Sequence, residues 1–157
     1  MRDVVGYGCE KANLAPVLEK KGLVPDTKRK PGDVFLPVFS QAQPLAVDCV
    51  YASPCAASAY RQAAQSQGFA ASTADAAKVA KSADKCLQQR IAFLPLAAEV
   101  FGGWTREALA FITRVGSMMA NNTGRSPAEE VRYFRQRISL ALQRTNAAMV
   151  QARQQVV

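Results

Sequence analysis

Two aspartates sit where a strand would ordinarily carry an aliphatic residue. Asp33 opens "DVFLPV" and Asp48 lies inside "LAVDCVY". A carboxylate buried without a partner costs several kcal/mol in effect, so each should be paired, protonated or bound to a cation. The two are fifteen residues apart, and the runs that carry them are joined only by "SQAQ". A connection that short makes the runs neighbouring strands, about 4.8 Å apart, so carboxylates on one face could share an ion. Hard oxygen ligands of this kind suit Mg²⁺, which binds through one or two carboxylates plus substrate phosphate. The other outcome is that Asp48 accepts backbone hydrogen bonds or pairs with an arginine. Glu19 and Glu99 are further carboxylates that could join the pair.

Phosphodiester hydrolysis also needs a group to orient or deprotonate water. The chain has no histidine, which excludes His-based acid–base catalysis, Ser-His-Asp triads and nucleases with a histidine base. Lysine is left for that task. Lys78, Lys81 and Lys85 recur at spacings of three and four, so they line one stripe of a helix. Val79, Ala83, Cys86 and Leu87 fall toward the other side and are expected to pack. Lys28-Arg29-Lys30 just precedes Asp33, where it could meet phosphates, although a charged loop is more often simply solvated.

Composition agrees with an anionic partner. Twenty Lys and Arg against twelve Asp and Glu give +8, and nucleic acid is the commonest intracellular polyanion. The chain has 157 residues, 49% of them hydrophobic and 20% charged, which fits one folded domain. No apolar run approaches the ~20 residues that would span a bilayer, and Met1-Arg2-Asp3 does not begin a signal peptide, so an intracellular protein is expected. Cys9, Cys49, Cys55 and Cys86 form no CxxC pair and read as reduced thiols.

Several elements must position these groups. A first helix spans Val4 to about Leu18, firming up after Cys9 because Gly6 and Gly8 weaken its start. A basic loop with Gly22, Pro25 and Pro31 follows. The two strands come next, with Pro37 marking an edge or a strand end. Ala56 to Gln67 reads as a helix, and a second helix starts at Ser72 or Thr73 as N-cap and runs to about Leu87. "RIAFLPLAAEV" is a third strand. Thr105 caps a helix that Gly124 terminates. In "SPAE", Ser126 caps a last helix, with Pro127 at its first position and Glu129 completing a capping box. Val131, Phe134, Ile138, Leu142 and Met149 would form its buried face. The expected class is α/β (α+β), a small central mixed sheet flanked by helices. Residues 1–100 would form the core, and 101–157 a two-helix C-terminal extension packed on the same domain.

Six segments, "RDVVGYGCEKANLAPVLEKKGLVPD", "RKPGDVFLP", "LAVDCVYASP", "GFAAS", "C…IAFLPLAAEVFGGW" and "YFRQRISLALQRTNA", together resemble the C-terminal region of non-LTR retrotransposon polyproteins. The resemblance covers nearly the whole chain. That region is similar to restriction-like endonucleases of the PD-(D/E)XK type. It implies a restriction-endonuclease-like core with Mg²⁺ or Mn²⁺ held by Asp33, Asp48 and Glu19, and Lys81 as the catalytic lysine carried on a helix. It also implies a DNA partner met by Lys28, Arg29, Lys30, Lys78 and Lys85, with RNA and a reverse transcriptase as further partners in the parent polyprotein. The implied activity is nicking of target DNA to prime reverse transcription. The alternative is an inactive nucleic-acid-binding relic. Localisation would be intracellular, and nuclear for a eukaryotic element. Three departures stand out: Ser82 follows Lys81 where the family has tyrosine, Val50 stands where a strand lysine is usual, and the upstream zinc element and polymerase are missing. A fragment of a longer reading frame is therefore expected.

Overall fold

A computed structural model describes residues 1–25 and 30–154. The elements run α1 (Arg2–Lys11), β1 (Val17–Leu18), β2 (Val34–Ser40), β3 (Gln43–Ala52), α2 (Tyr60–Ala63), α3 (Phe69–Gln88), β4 (Ala92–Glu99), α4 (Arg106–Thr123) and α5 (Pro127–Gln154). The strands form one mixed sheet in the order β1-β2-β3-β4. β1, β2 and β3 are antiparallel, and β4 lies parallel to β3 after the α3 crossover. The expected class, a mixed α/β fold around a small mixed sheet, is what the chain adopts.

Alternation along the strands gives the sheet two different faces. Val34, Leu36, Leu45, Val47 and Leu96 point to one, where they share a buried cluster with Val5 and Cys9 of α1, Phe111, Ile112 and Val115 of α4, and Phe134 and Ile138 of α5. The C-terminal helices thus complete the main core and do not form one of their own. Phe35, Ala46 and Val50 point to the other face, against Cys86 and Ala71 of α3. Three helices cover the first face and one long helix covers the second.

The hairpin between β2 and β3 turns on Gln41 and Ala42, at φ 48° and 60°. Two left-handed residues in succession suit the right-handed twist of the flanking strands. Pro37 falls where the β2–β3 register slips between Leu36 and Ser40, beyond the reach of the two-residue β1. Its missing N–H therefore breaks no ladder.

Local caps form as the sequence dictates. Thr105 Oγ1 accepts from Ala108 N at 3.3 Å, Gly124 ends α4 at φ 72°, and Ser126 and Glu129 exchange backbone bonds at 3.2 Å. On α5, Phe134, Ile138 and Leu142 are buried, but Met149 is exposed.

Three boundaries differ from expectation. The first helix is Arg2–Lys11, beginning before its glycines and ending just after Cys9. Gly8 serves that helix by close approach: a Cβ there would lie 2.2 Å from the Phe134 ring. Ala56–Gln67 is mostly turns, with only Tyr60–Ala63 helical and none of those four buried, so no packed face extends it. The third helix starts at Phe69, ahead of Ser72 and Thr73, because its N-terminus is held by a carboxylate from elsewhere in the fold. Among the described residues no helix is long and apolar enough to cross a membrane.

Candidate functional site

The β2–β3 register pairs Val34 with Val47 and ends there: Asp33, just before β2, donates its own N–H to Val47 O, so the chain bulges where the register would otherwise reach Asp48. Asp48 falls on the face that α3 covers, the face of Ala46. Asp33 is tied to β3 twice: its N–H donates to Val47 O at 2.8 Å, and its Oδ2 accepts from Cys49 N at 3.0 Å. The carboxylate thus substitutes for a ladder carbonyl and is fixed in orientation. Gly32 makes this approach possible, since a Cβ there would meet Val47 O at 2.8 Å.

Asp48 is answered from above. Its side chain keeps only 14% of its exposure, and Oδ2 lies 2.6 Å from Lys78 Nζ on α3. The half-buried strand carboxylate is therefore ion-paired, with an ammonium as its partner where the sequence had suggested an arginine or a cation.

The lysine stripe on α3 is rotated from its expected position. The side of α3 that meets the sheet carries Ala71, Ala74, Asp75, Lys78, Ser82 and Cys86, whereas Val79 and Leu87 are 40% and 65% exposed. Small residues let the helix lie close to the strands, and that closeness brings Lys78 onto Asp48. Lys81 and Lys85 are exposed on the outer side of the helix. Sequence reasoning divided the helix by hydrophobicity. The signal that would have found Lys78 is the spacing of small residues at 71, 74, 82 and 86, which puts position 78 on the same face.

Glu19 continues the row across the sheet. Its N–H donates to Asp33 O at 2.8 Å, one residue beyond the Leu18–Val34 pair. Its backbone is left-handed at φ 52°, and its carboxylate pairs with Arg2 of α1 and with Lys30. Lys30 first, then Arg2, hold that carboxyl below the usual range. Glu19 is thereby engaged at the sheet edge and does not join Asp33 and Asp48. Lys28 and Arg29 lie outside the described residues.

Glu99, another carboxylate noted in the sequence, is buried at the end of β4. Its Oε1 accepts from Ala70 N at 3.0 Å, so it caps α3 and complements the positive end of the helix. Next to Asp48 on β3, burial pushes the Cys49 thiol up to about 12, with the Asp33 charge adding to the effect. Cys49 is a protonated packing residue at neutral pH.

Asp33, bound through Oδ2 to the Cys49 N–H, and Asp48, bound through Oδ2 to Lys78, each keep a second oxygen that no described residue engages, and such hard donors suit a divalent cation that draws its remaining ligands from water and phosphate. Among the described residues no group of three or more Cys, Asp or Glu could enclose a metal ion. The donor set is thus open and two-carboxylate, without a full protein cage. Compared with known proteins, the chain matches no family model, no curated relative and no solved structure.

Proposed function

We propose that the chain is a metal-dependent DNA endonuclease domain of a retroelement, with a restriction-endonuclease-like core, nicking target DNA to leave a 3′ hydroxyl that primes reverse transcription. The observation that carries this reading is the meeting of Asp33, whose Oδ2 takes the N–H of Cys49, with Asp48 next to it on β3 and Lys78 2.6 Å from Asp48.

Asp33 and Asp48 would hold Mg²⁺ or Mn²⁺ through their second oxygens. Such a cation, when bound, supplies Lewis-acid polarisation of a phosphate and acidifies a water. Asp33 contributes a carboxylate already oriented by the Cys49 N–H. Lys78 takes the role that the resemblance gave to Lys81: its ammonium stands over Asp48, where it can orient an attacking water or offset charge on the phosphate. Lys30 and Lys85, with Lys28 and Arg29, supply the salt-sensitive contacts to DNA phosphates.

The test is nicking of supercoiled plasmid in Mg²⁺ or Mn²⁺. Wild type is expected to nick, and Asp48→Asn or EDTA to abolish it. Lys78→Ala should lower the rate by about 10²–10⁴-fold, the range for a positioned acid or base, while Lys81→Ala keeps most of it. Intact plasmid from folded wild-type protein in both metals would sink the reading. A second reading, a nucleic-acid-binding relic without catalysis, is favoured by one feature: Lys78 already neutralises Asp48 with no cation needed. Plasmid binding that survives Asp48→Asn, with no cleavage in either metal, would select it.

A further inference from the structure

A second charged feature lies on the other side of the sheet. Arg137 of α5 packs its guanidinium over two exposed tyrosines, 4.4 Å from the Tyr7 ring of α1 and 5.6 Å from the Tyr133 ring. Its Nη1 also donates to Tyr133 Oη at 3.3 Å. Lys11 Nζ stands 5.5 Å from the Tyr7 ring, and the Arg125 guanidinium 5.7 Å from that of Tyr133. The result is a row of alternating cations and rings, Lys11, Tyr7, Arg137, Tyr133, Arg125, crossing from α1 to the turn before α5. Gly8 brings the two helices close enough for the row to be continuous.

The row is not explained by the core. Phe134, Ile138 and Leu142 supply the buried face of α5, and the tyrosines lie outside it, 38% and 42% exposed. Acidic groups near the row are already engaged: Glu130 takes the Thr123 hydroxyl at 2.9 Å and Arg125 at 3.5 Å, Glu129 closes its capping box, and Asp3 pairs with Arg2. Only Glu10, exposed on α1, sits by the row without such a partner among the described residues. Three cations spaced by two aromatic rings match a ligand that alternates negative charge with flat apolar faces. In single-stranded nucleic acid the phosphates alternate with bases whose faces are free to stack, whereas a duplex hides those faces.

We propose that this row binds single-stranded nucleic acid, the rings of Tyr7 and Tyr133 stacking on unpaired bases and Lys11, Arg137 and Arg125 meeting phosphates. The surface goes beyond the carboxylate site: it lies on the opposite face of the sheet and holds whether or not that site cuts.

The experiment is anisotropy of a fluorescent oligothymidylate of roughly 20 nucleotides, longer than one such site, with the full chain in EDTA. Binding is read in EDTA, where the carboxylate site cannot cut, so the outcome for this surface and the outcome of the nicking test are separate. Tyr7→Ala with Tyr133→Ala should weaken binding about tenfold or more, and the corresponding Phe pair should restore it, because stacking needs the ring and not the hydroxyl. The exposed pair Lys11→Gln with Arg125→Gln should flatten the salt dependence by about one to two counterions. Unchanged affinity in the alanine pair, with the fold intact by circular dichroism, would overturn the proposal. So would tighter binding of a duplex of the same length, or equal competition by polyglutamate, which offers charge without stacking faces.

Discussion

At the scale of single residues, the ionisable groups are pulled in opposite directions by their surroundings. Asp75, on the sheet-facing side of α3, has its Oδ1 buried without a partner among the described residues. Burial, then the negative charge of Glu107, raises its carboxyl above the ordinary aspartate value. A carboxyl raised in the folded state contributes no penalty below that value, where both states are protonated. Stability is lost as the pH climbs from there through the raised folded value. Asp75→Asn is therefore expected to raise the melting midpoint at pH 7 by about 1–3 °C, given roughly 2–4 °C per kcal/mol for a chain of this length. The gain should vanish near pH 3, a comparison that two thermal melts provide. Glu19 behaves in the reverse sense: Lys30 and Arg2 depress it, so its contribution is present above the ordinary carboxylate range and fades as acid protonates it.

At the scale of elements, close approach decides more than propensity. Gly8→Ala would improve α1 as an isolated helix, yet its Cβ would fall 2.2 Å from a Phe134 ring that is 1% exposed. The packing term is larger than the propensity term, so the variant should lose about 1–3 kcal/mol. Adding Phe134→Leu should recover part of that loss, and a double-mutant cycle by denaturant melts would read the coupling. The same contest explains what was legible in the sequence. The caps at Thr105, Gly124 and Ser126 and the hairpin at Gln41–Ala42 are local, so the residues that make them stand side by side in the chain. The start of α3 was hidden because its cap, Glu99, is 29 residues from Ala70. The pairing of the strands that carry the two aspartates could be read from the short hairpin, but the bulge at Asp33, whose N–H turns to Val47 O, could not. The lysine over Asp48 could not, because the rotation of α3 is set by how its small residues settle on the sheet. The left-handed turn that sends Glu19 to Arg2 and Lys30 leaves no mark in the local sequence either.

At the scale of the whole molecule, the two sides of the sheet are built unequally. One carries α1, α4 and α5 over a continuous cluster of Leu, Ile, Val and Phe, and the other carries α3 over mostly Ala, Val, Phe and Cys. Less apolar area under α3 means less free energy holding it down. Native-state hydrogen exchange should therefore find α3 amides opening at a lower free energy than those of α4, with α3 released as a unit before global unfolding. Equal protection in the two helices would contradict this. Lifting α3 would carry Lys78 away from Asp48 and leave Asp48 on β3, with Asp33 bonded to the same strand, anchored to the larger core. The carboxylates and the lysine thus belong to separately melting parts of one domain. The pair that joins them is also a latch, and the strength of that latch sets how often the strand face beneath it meets solvent.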